Sequence, residues 1–198
     1  SHAGRIRVFI VDDHPMIRMS LSDLFAMRPE LKVCGDAGSC AEALEKIPAA
    51  NPDLVVVDLG LGEANGFELL RSLRSRHPGI RSLVFSMHEE SKYALRSIKE
   101  GARGYVMKTA RPEVVLEAVV QASEGKLVVG PEIQQQLLLE AAGGGPKLDT
   151  PDRVLSSREW QVFECLGKGM TMREIAEHLR ISEKTVGSFC DRIKTKLG

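Results

Sequence analysis

Two adjacent acids, Asp12-Asp13, close the first apolar run of the chain, and a third acid, Asp58, closes the third run. Ser86 ends a fourth run, and a fifth leads through Tyr105-Val106-Met107 into Lys108. Carboxylates gathered in one place repel, and the crowding raises their pKa values unless a cation is present. A hard divalent ion with oxygen ligands meets that need; Mg2+ takes a few carboxylates, keeps waters and accepts phosphate oxygens. A hydroxyl and an ammonium nearby hold further phosphate oxygens. The set suits phosphoryl transfer onto an aspartate: the carboxylate attacks, the metal and Lys108 neutralise charge, and Ser86 meets a phosphate oxygen. Singly, each residue has an ordinary explanation. A strand-end Asp is usually a cap or turn residue, Asp13 could cap a helix beginning at Pro15, and Lys108 alone would be a surface lysine. The joint pattern, one polar group per strand end, is what carries the chemistry.

The elements that must position these groups alternate along the chain. Arg5–Val11, Lys32–Ala37, Asp53–Leu59, Ile80–Ser86 and Arg103–Met107 read as strands. Between them, 14–27, 40–47, 66–76 and 91–100 read as helices, and 112–124 follows as a fifth. The first carries Ile17, Leu21, Leu24 and Phe25 on one face, with Pro15 suited to its first turn. Five strands alternating with five helices predict a parallel α/β sheet covered on both faces. Sites in such sheets lie at the carboxyl ends of the strands, where the polar set stands.

After residue 125 the pattern changes. Residues 131–142 read as an isolated helix opening at Pro131, and 143–151 (GGGPKLDTP) have linker composition. Three short helices follow. In the first, Ser156 and Glu159 have capping-box spacing, with Val162, Phe163 and Leu166 as an inner stripe. Thr171 and Glu174 repeat the box ahead of Ile175, Ala176 and Leu179. The last helix, 183–196 with Ser182 as N-cap, shows Val186, Cys190, Ile193 and Leu197 inward. Two helices joined by a short turn fit a helix-turn-helix, whose second helix lies in the DNA major groove. A small three-helix interaction module has the same periodicity, so spacing alone leaves the two open.

Composition sets outer bounds. The chain has 198 residues, 43% hydrophobic and 27% charged, which excludes collagen-like, disordered and disulfide-scaffold classes and allows one large or two small domains. Residues 1–150 carry 18 basic and 20 acidic side chains, and 151–198 carry 9 and 7, a slight positive bias in the tail. Cys34, Cys40, Cys165 and Cys190 form no C-x-x-C and no zinc spacing, as expected of reduced thiols in a cytoplasmic protein. No apolar run approaches the ~18–20 residues that span a bilayer, and no signal peptide is expected.

Val11-Asp12-Asp13-His14, Val57-Asp58-Leu59, Ser86 and Tyr105-Val106-Met107-Lys108 resemble the receiver domain of two-component response regulators over roughly residues 5–125. The resemblance implies a flavodoxin-like sheet of order 2-1-3-4-5. It implies Asp58 as phosphoacceptor, with Mg2+ held by Asp12, Asp13, Asp58 and the backbone carbonyl of Gly60. Ser86 and Lys108 would sense the phosphate, and Tyr105 would fill the space Ser86 vacates. Family members often carry Pro four residues after the acceptor, where this chain has Gly62, which predicts a looser loop. Two other readings fail on spacing. Gly60-Leu61-Gly62-Glu63-Ala64-Asn65-Gly66 places its last glycine one position late for a dinucleotide loop. Asp58-Leu59-Gly60 lacks the second acid of a haloacid-dehalogenase-type phosphatase.

Residues 154–198 resemble the LuxR-type DNA-binding domain, through Leu155-Ser156-Ser157-Arg158-Glu159, Glu174-Ile175-Ala176, Ile181-Ser182, Thr185-Val186 and Lys196-Leu197-Gly198. With the receiver, and with 126–153 as connecting helix and linker, this is similar to the NarL/FixJ class. It implies a transcriptional regulator phosphorylated by a sensor histidine kinase, binding duplex DNA and dimerising when phosphorylated. Such a chain is the kinase's substrate and no enzyme beyond its own slow dephosphorylation. The competing expectation is a regulator acting through protein contacts without specific DNA binding. Where the family commonly has T-V-K-x-H, this chain has Thr185-Val186-Gly187-Ser188-Phe189. The match puts Gly187, Ser188 and Asp191 at base-contacting positions and leaves Lys184, Arg192, Lys194 and Lys196 for the phosphates. Family members continue into a fourth helix after Lys-Leu-Gly; the sequence in hand ends at Gly198, and the expectation stays open there.

Overall fold

The computed structural model describes residues 4–61, 66–142 and 155–197. They belong to two compact units, Ser1–Pro146 and Lys147–Gly198, each described by itself.

The first unit is a five-stranded parallel sheet of order β2-β1-β3-β4-β5. Its strands are β1 (Ile6–Val11), β2 (Leu31–Ala37), β3 (Leu54–Val57), β4 (Arg81–Ser86) and β5 (Gly104–Met107). The helices are α1 (Pro15–Ala26), α2 (Cys40–Ala50), α3 (Gly66–Arg76), α4 (Glu90–Lys99), α5 (Pro112–Ser123) and α6 (Pro131–Ala141). Helices α1 and α5 cover one face; α2, α3 and α4 pack against the other. Val8 and Ile10 of β1 meet Leu21, Phe25 and Val119 on the first face, and nearly continuous burial of β1, β3 and β4 follows from having helices on both sides. The register of β1 with β2 slips after Val8, so that Cys34 is extra on β2. Gly35 belongs to the same adjustment: a Cβ there would come 2.6 Å from the buried Phe9 ring.

The amino-terminal edge of the sheet receives the carboxyl ends of the helices, whose last carbonyls lack partners. Arginines supply them. Arg7 donates to Ala50 and Asn51 carbonyls, Arg81 to Ser123 and Arg74 to Lys99. Their charge also suits the negative end of the helix dipole. Helix α2 runs past its expected end at Ile47, with Pro48 inside its last turn. The end comes instead at Asn51, in the left-handed conformation that Asn tolerates.

Helix α6 is not isolated. Val128 bridges Gly104 at the β5 edge, and Ile133 is buried where α6 meets α4. Glu90 accepts from the Gly130 N–H, and Lys99 pairs with Glu140 at 2.7 Å. The glycine-rich stretch at 143–151 and the Gly62 position lie outside the described residues.

The second unit holds α7 (Ser157–Gly167), α8 (Met172–Leu179) and α9 (Glu183–Leu197). Both expected capping boxes form, Ser156 with Glu159 and Thr171 with Glu174. Its core is Leu155, Val162, Cys165, Ile175, Ala176, Val186, Phe189 and Ile193. The expected inner stripes are partly corrected. Leu166 and Leu197 are exposed, while Cys165 and Phe189, neighbours of the expected Leu166 and Cys190, are buried. The other expected residues, Val162, Phe163, Ile175, Ala176, Leu179, Val186, Cys190 and Ile193, lie in this core or pack on it.

Candidate functional site

The polar strand ends converge as topology requires. Asp58 follows β3, its backbone N–H donating to the Val11 carbonyl, so it lies beside the end of β1 and next to Asp12. Lys108 follows β5 and is anchored by its N–H to the Ser86 carbonyl. Its Nζ lies 2.5 Å from Asp12 Oδ2 and 2.8 Å from Asp58 Oδ2. All three side chains are almost fully buried. Burial works to lower the Lys108 pKa, but the charges and hydrogen bonds of Asp58 and Asp12 outweigh it, and the pKa is raised. Asp13, half-buried, completes the acid set. It caps nothing: the α1 N-cap is His14, without a side-chain cap bond.

Asp12, Asp13, His14 and Asp58 each bring one ligand-type atom within 4.8 Å of the others. Asp12 Oδ2 and Asp13 Oδ1 are buried, and each faces a single cationic side chain, Lys108 for Asp12 and His14 for Asp13. Three carboxylates this close fit a divalent cation, the hard-oxygen donor set that Mg2+ prefers. Gly60 flanks the acceptor, and a Cβ there would lie 3.5 Å from Asp58 Oδ2.

Ser86 is fully buried and accepts from the His88 N–H at 3.3 Å. The Tyr105 ring is buried too, its hydroxyl donating to the His88 carbonyl at 3.0 Å and lying in hydrogen-bond reach of Ser86. Burial pushes the Tyr105 phenol well above its ordinary pKa, so it stays a neutral donor. Tyr105 is therefore already in its inward position in this structure.

In the second unit, Lys184, Ser188, Asp191, Arg192 and Lys194 are exposed on α9. Arg192 lies 5.7 Å from the Phe189 ring centroid, which fixes its stem along the helix. Ser188 and Thr195 hydroxyls donate to carbonyls one turn back, at Lys184 and Asp191. Thr185, also expected at the DNA interface, Gly187 and Lys196 have neighbours within the unit. Thr185 is half-buried in the cap of α9, its N–H donating to Ser182 Oγ and its hydroxyl 2.7 Å from that oxygen. Gly187 is no open surface position, since a Cβ there would meet the Met172 Cε at 3.3 Å. Lys196, expected among the phosphate contacts, pairs with buried Glu159 at 2.7 Å.

Residues 8–120 match the response regulator receiver domain, and residues 153–198 match the luxR family of bacterial regulatory proteins. The chain belongs to the NarL/FixJ response regulators. It is 37% identical to the DNA-binding transcriptional activator DevR/DosR of Mycobacterium tuberculosis, over 98% of this chain and 88% of that one. The nitrate/nitrite response regulator NarL of Escherichia coli is 30% identical, over 90% of this chain and 83% of its own. A crystal structure of a LuxR-family two-component response regulator from Aurantimonas sp. SI85-9A1 superposes with a TM-score of 0.63. It is 33% identical and covers 70% of this chain and 99% of that one.

Sequence reasoning passed over two positions at this regulator's acid site. Gly66, the first residue of α3, comes so close behind the acceptor that a Cβ would overlap the Asp58 carbonyl and lie 2.7 Å from Leu59 Cα. Its signal was a glycine opening a helix right after the acceptor loop. His14 was quoted only as part of a motif, yet its ring turns back onto the acids.

Proposed function

We propose that this regulator accepts a phosphoryl group on Asp58 from a sensor histidine kinase and that the modification controls DNA binding through residues 154–198. The observation that carries the reading is the buried Lys108 ammonium between Asp12 and Asp58, at the carboxyl ends of β1, β3 and β5. An Asp58 oxygen attacks the phosphorus, and the bond to the kinase imidazole breaks. Lys108 stays within reach of the new charge, and the Ser86 hydroxyl turns to donate to a phosphoryl oxygen. Mg2+, held by the carboxylates of Asp12, Asp13 and Asp58 and the Gly60 carbonyl, neutralises phosphate charge when bound. The chain is a substrate of this transfer.

The phosphoryl group brings about −1.5 to −2 charge to the site. Taking a switch from 1:99 to 99:1 needs about 5.5 kcal/mol of differential stabilisation. New charge-assisted contacts from Ser86 and Lys108, with the ion, are of that order. The buried Ser86–Tyr105–His88 contacts support Tyr105 as the element that follows Ser86.

On the DNA side, Lys184, Arg192 and Lys194 are assigned to phosphates, with Ser188 and Asp191 toward base edges. Asp191 can accept from a cytosine amino group. Thr185 and Gly187 act by shaping the start of α9. Dimerisation of the phosphorylated form and action in the cytoplasm belong to the same proposal; no described helix is long and apolar enough to cross a membrane. The test is salt-dependent binding to duplex DNA before and after treatment with a small phosphodonor and Mg2+. Site-preferring binding that responds to phosphorylation supports the reading. Phosphorylation with no duplex binding at any salt leaves a regulator working through protein contacts.

A further inference from the structure

The acid site occupies the carboxyl edge of the sheet, and the opposite edge is basic. There the starts of β4 and β5, the ends of α3 and α4 and the segment after α5 enclose a groove of about 450 Å3. Arg74, Arg81 and Arg103 line it, with Ile80, Ile98 and Leu127 as apolar wall, and no Asp or Glu takes part. The acids next to it in sequence are engaged elsewhere, Glu100 with Arg71 at 3.4 Å and Glu124 with Lys126 at 2.7 Å. Among the described residues none of the three arginines has a carboxylate partner. Helix capping explains only part of this cluster. Arg74 and Arg81 each give one terminal nitrogen to a helix-end carbonyl, at Lys99 and Ser123, and keep further donors in a fixed fork. Those bonds hold both guanidiniums in place. The Arg74 stem lies against Gly101, where a Cβ would come 3.0 Å from its Cδ. Arg103 is exposed, and its side chain caps no helix among the described residues.

We propose that this groove binds a nucleoside di- or triphosphate. A cleft lined by one sign of charge between apolar walls focuses its field on a small counter-ion. Arginine forks match phosphate oxygens in pairs, and the apolar side chains offer a face to a base. The volume falls in the range of small-molecule sites, roughly 300–1,000 Å3. A duplex or an anionic bilayer fits less well. Residues 1–150 carry 20 acidic against 18 basic side chains, so a large anionic surface meets net repulsion where a small ligand meets the groove alone. The groove shares no residue with Asp12, Asp13, Asp58, Ser86, Tyr105 or Lys108, and the inference stands apart from phosphorylation of Asp58.

The full chain is titrated by calorimetry with ADP and with pyrophosphate in EDTA, which leaves no divalent ion for the acid site. ADP should bind, and Arg103→Gln should weaken it about tenfold or more. The thermal midpoint of that variant should match the parent's, since the side chain is exposed and caps no helix. Leu127→Ser, at another exposed position, should weaken ADP but not pyrophosphate. Asp58→Asn and Lys184→Ala should change neither ligand. No heat from ADP at millimolar concentration overturns the proposal. So does ADP binding that survives Arg103→Gln, or that is lost with Lys184→Ala, which places the ligand on α9. Pyrophosphate bound as tightly as ADP, with both indifferent to Leu127→Ser, overturns the nucleotide assignment. A chain that ignores ADP but sediments with phosphatidylglycerol vesicles, and loses this with Arg103→Gln, overturns it in favour of a lipid surface.

Discussion

Asp58 is one of three carboxylates in contact with or near Lys108, yet it alone stands at the end of the strand between β1 and β4. A small phosphodonor with Mg2+ should therefore modify Asp58 and nothing else. Asp58→Asn, nearly the same shape but a poor nucleophile, should abolish the mass increase of one phosphoryl group; a modified peptide elsewhere would sink the assignment. Lys108 has a pH signature of its own. Its pKa is raised in the folded protein, so the stability it contributes is fully present below its unfolded value of about 10.5 and is lost as pH rises through the higher folded value. Alkaline unfolding followed by circular dichroism should show this loss in the parent, and Lys108→Met should lack it. The pairing of Lys108 with these two acids follows from residue types at strand ends. The approach of His14 to two carboxylates does not, because a side-chain direction at a helix start depends on the local backbone.

At the scale of elements, close approaches separate what pattern reveals from what packing decides. Gly66 lets α3 begin against the Asp58–Leu59 backbone, so Gly66→Ala must push the helix or the acceptor loop aside. Overpacking of this kind costs about 1–3 kcal/mol, visible as a lower urea midpoint at constant m-value, with slower phosphorylation of Asp58. In the second unit, Glu159 serves twice, closing the α7 capping box and pairing with Lys196 of α9. Burial tends to raise its pKa, but the Lys196 and Ser156 hydrogen bonds prevail and hold it below the usual carboxylate range. A lowered folded pKa gives stability that is present above the unfolded value and disappears as pH falls through the folded one. Lys196→Met should therefore lower stability at pH 7 by about 1 kcal/mol, the half-exposed lysine limiting the effect. The deficit relative to the parent should shrink below pH 4 in thermal melts. Capping boxes are local in sequence and were read there; the Glu159–Lys196 pair spans α7 to α9 and only the fold brings it together.

For the whole molecule, the slight positive bias of the tail is not spread evenly over α9. Lys184, Arg192 and Lys194 stay exposed, while Lys196 is held by Glu159. Lys184→Ala should weaken binding to matched and scrambled duplexes alike and reduce the salt slope by about one. Lys196→Ala should leave that slope nearly unchanged and act through stability instead. Asp191→Ala should alter preference at one base pair by about 1–3 kcal/mol; equal tightening on every duplex would make Asp191 a repulsive surface charge only. Titrations at several salt concentrations separate these outcomes.

Strand and helix alternation, the capping boxes and the polar strand ends were all legible in the chain. Each is a local or periodic consequence of residue type, and right-handed parallel topology then leaves one crevice where Asp12, Asp13, Asp58, Ser86 and Lys108 can meet. Tertiary structure decided the rest. Docking of α6 on α4, burial of Cys165 and Phe189 beside the expected stripe residues, the use of Thr185 in a cap and the space that Met172 closes beside Gly187 all depend on which neighbour arrives at a surface. Hydrophobic periodicity gives the face of a short helix only to within about one residue, since successive positions are turned by roughly 100°. The contact that selects one side chain over the next comes from elements distant in sequence, and no local pattern encodes it.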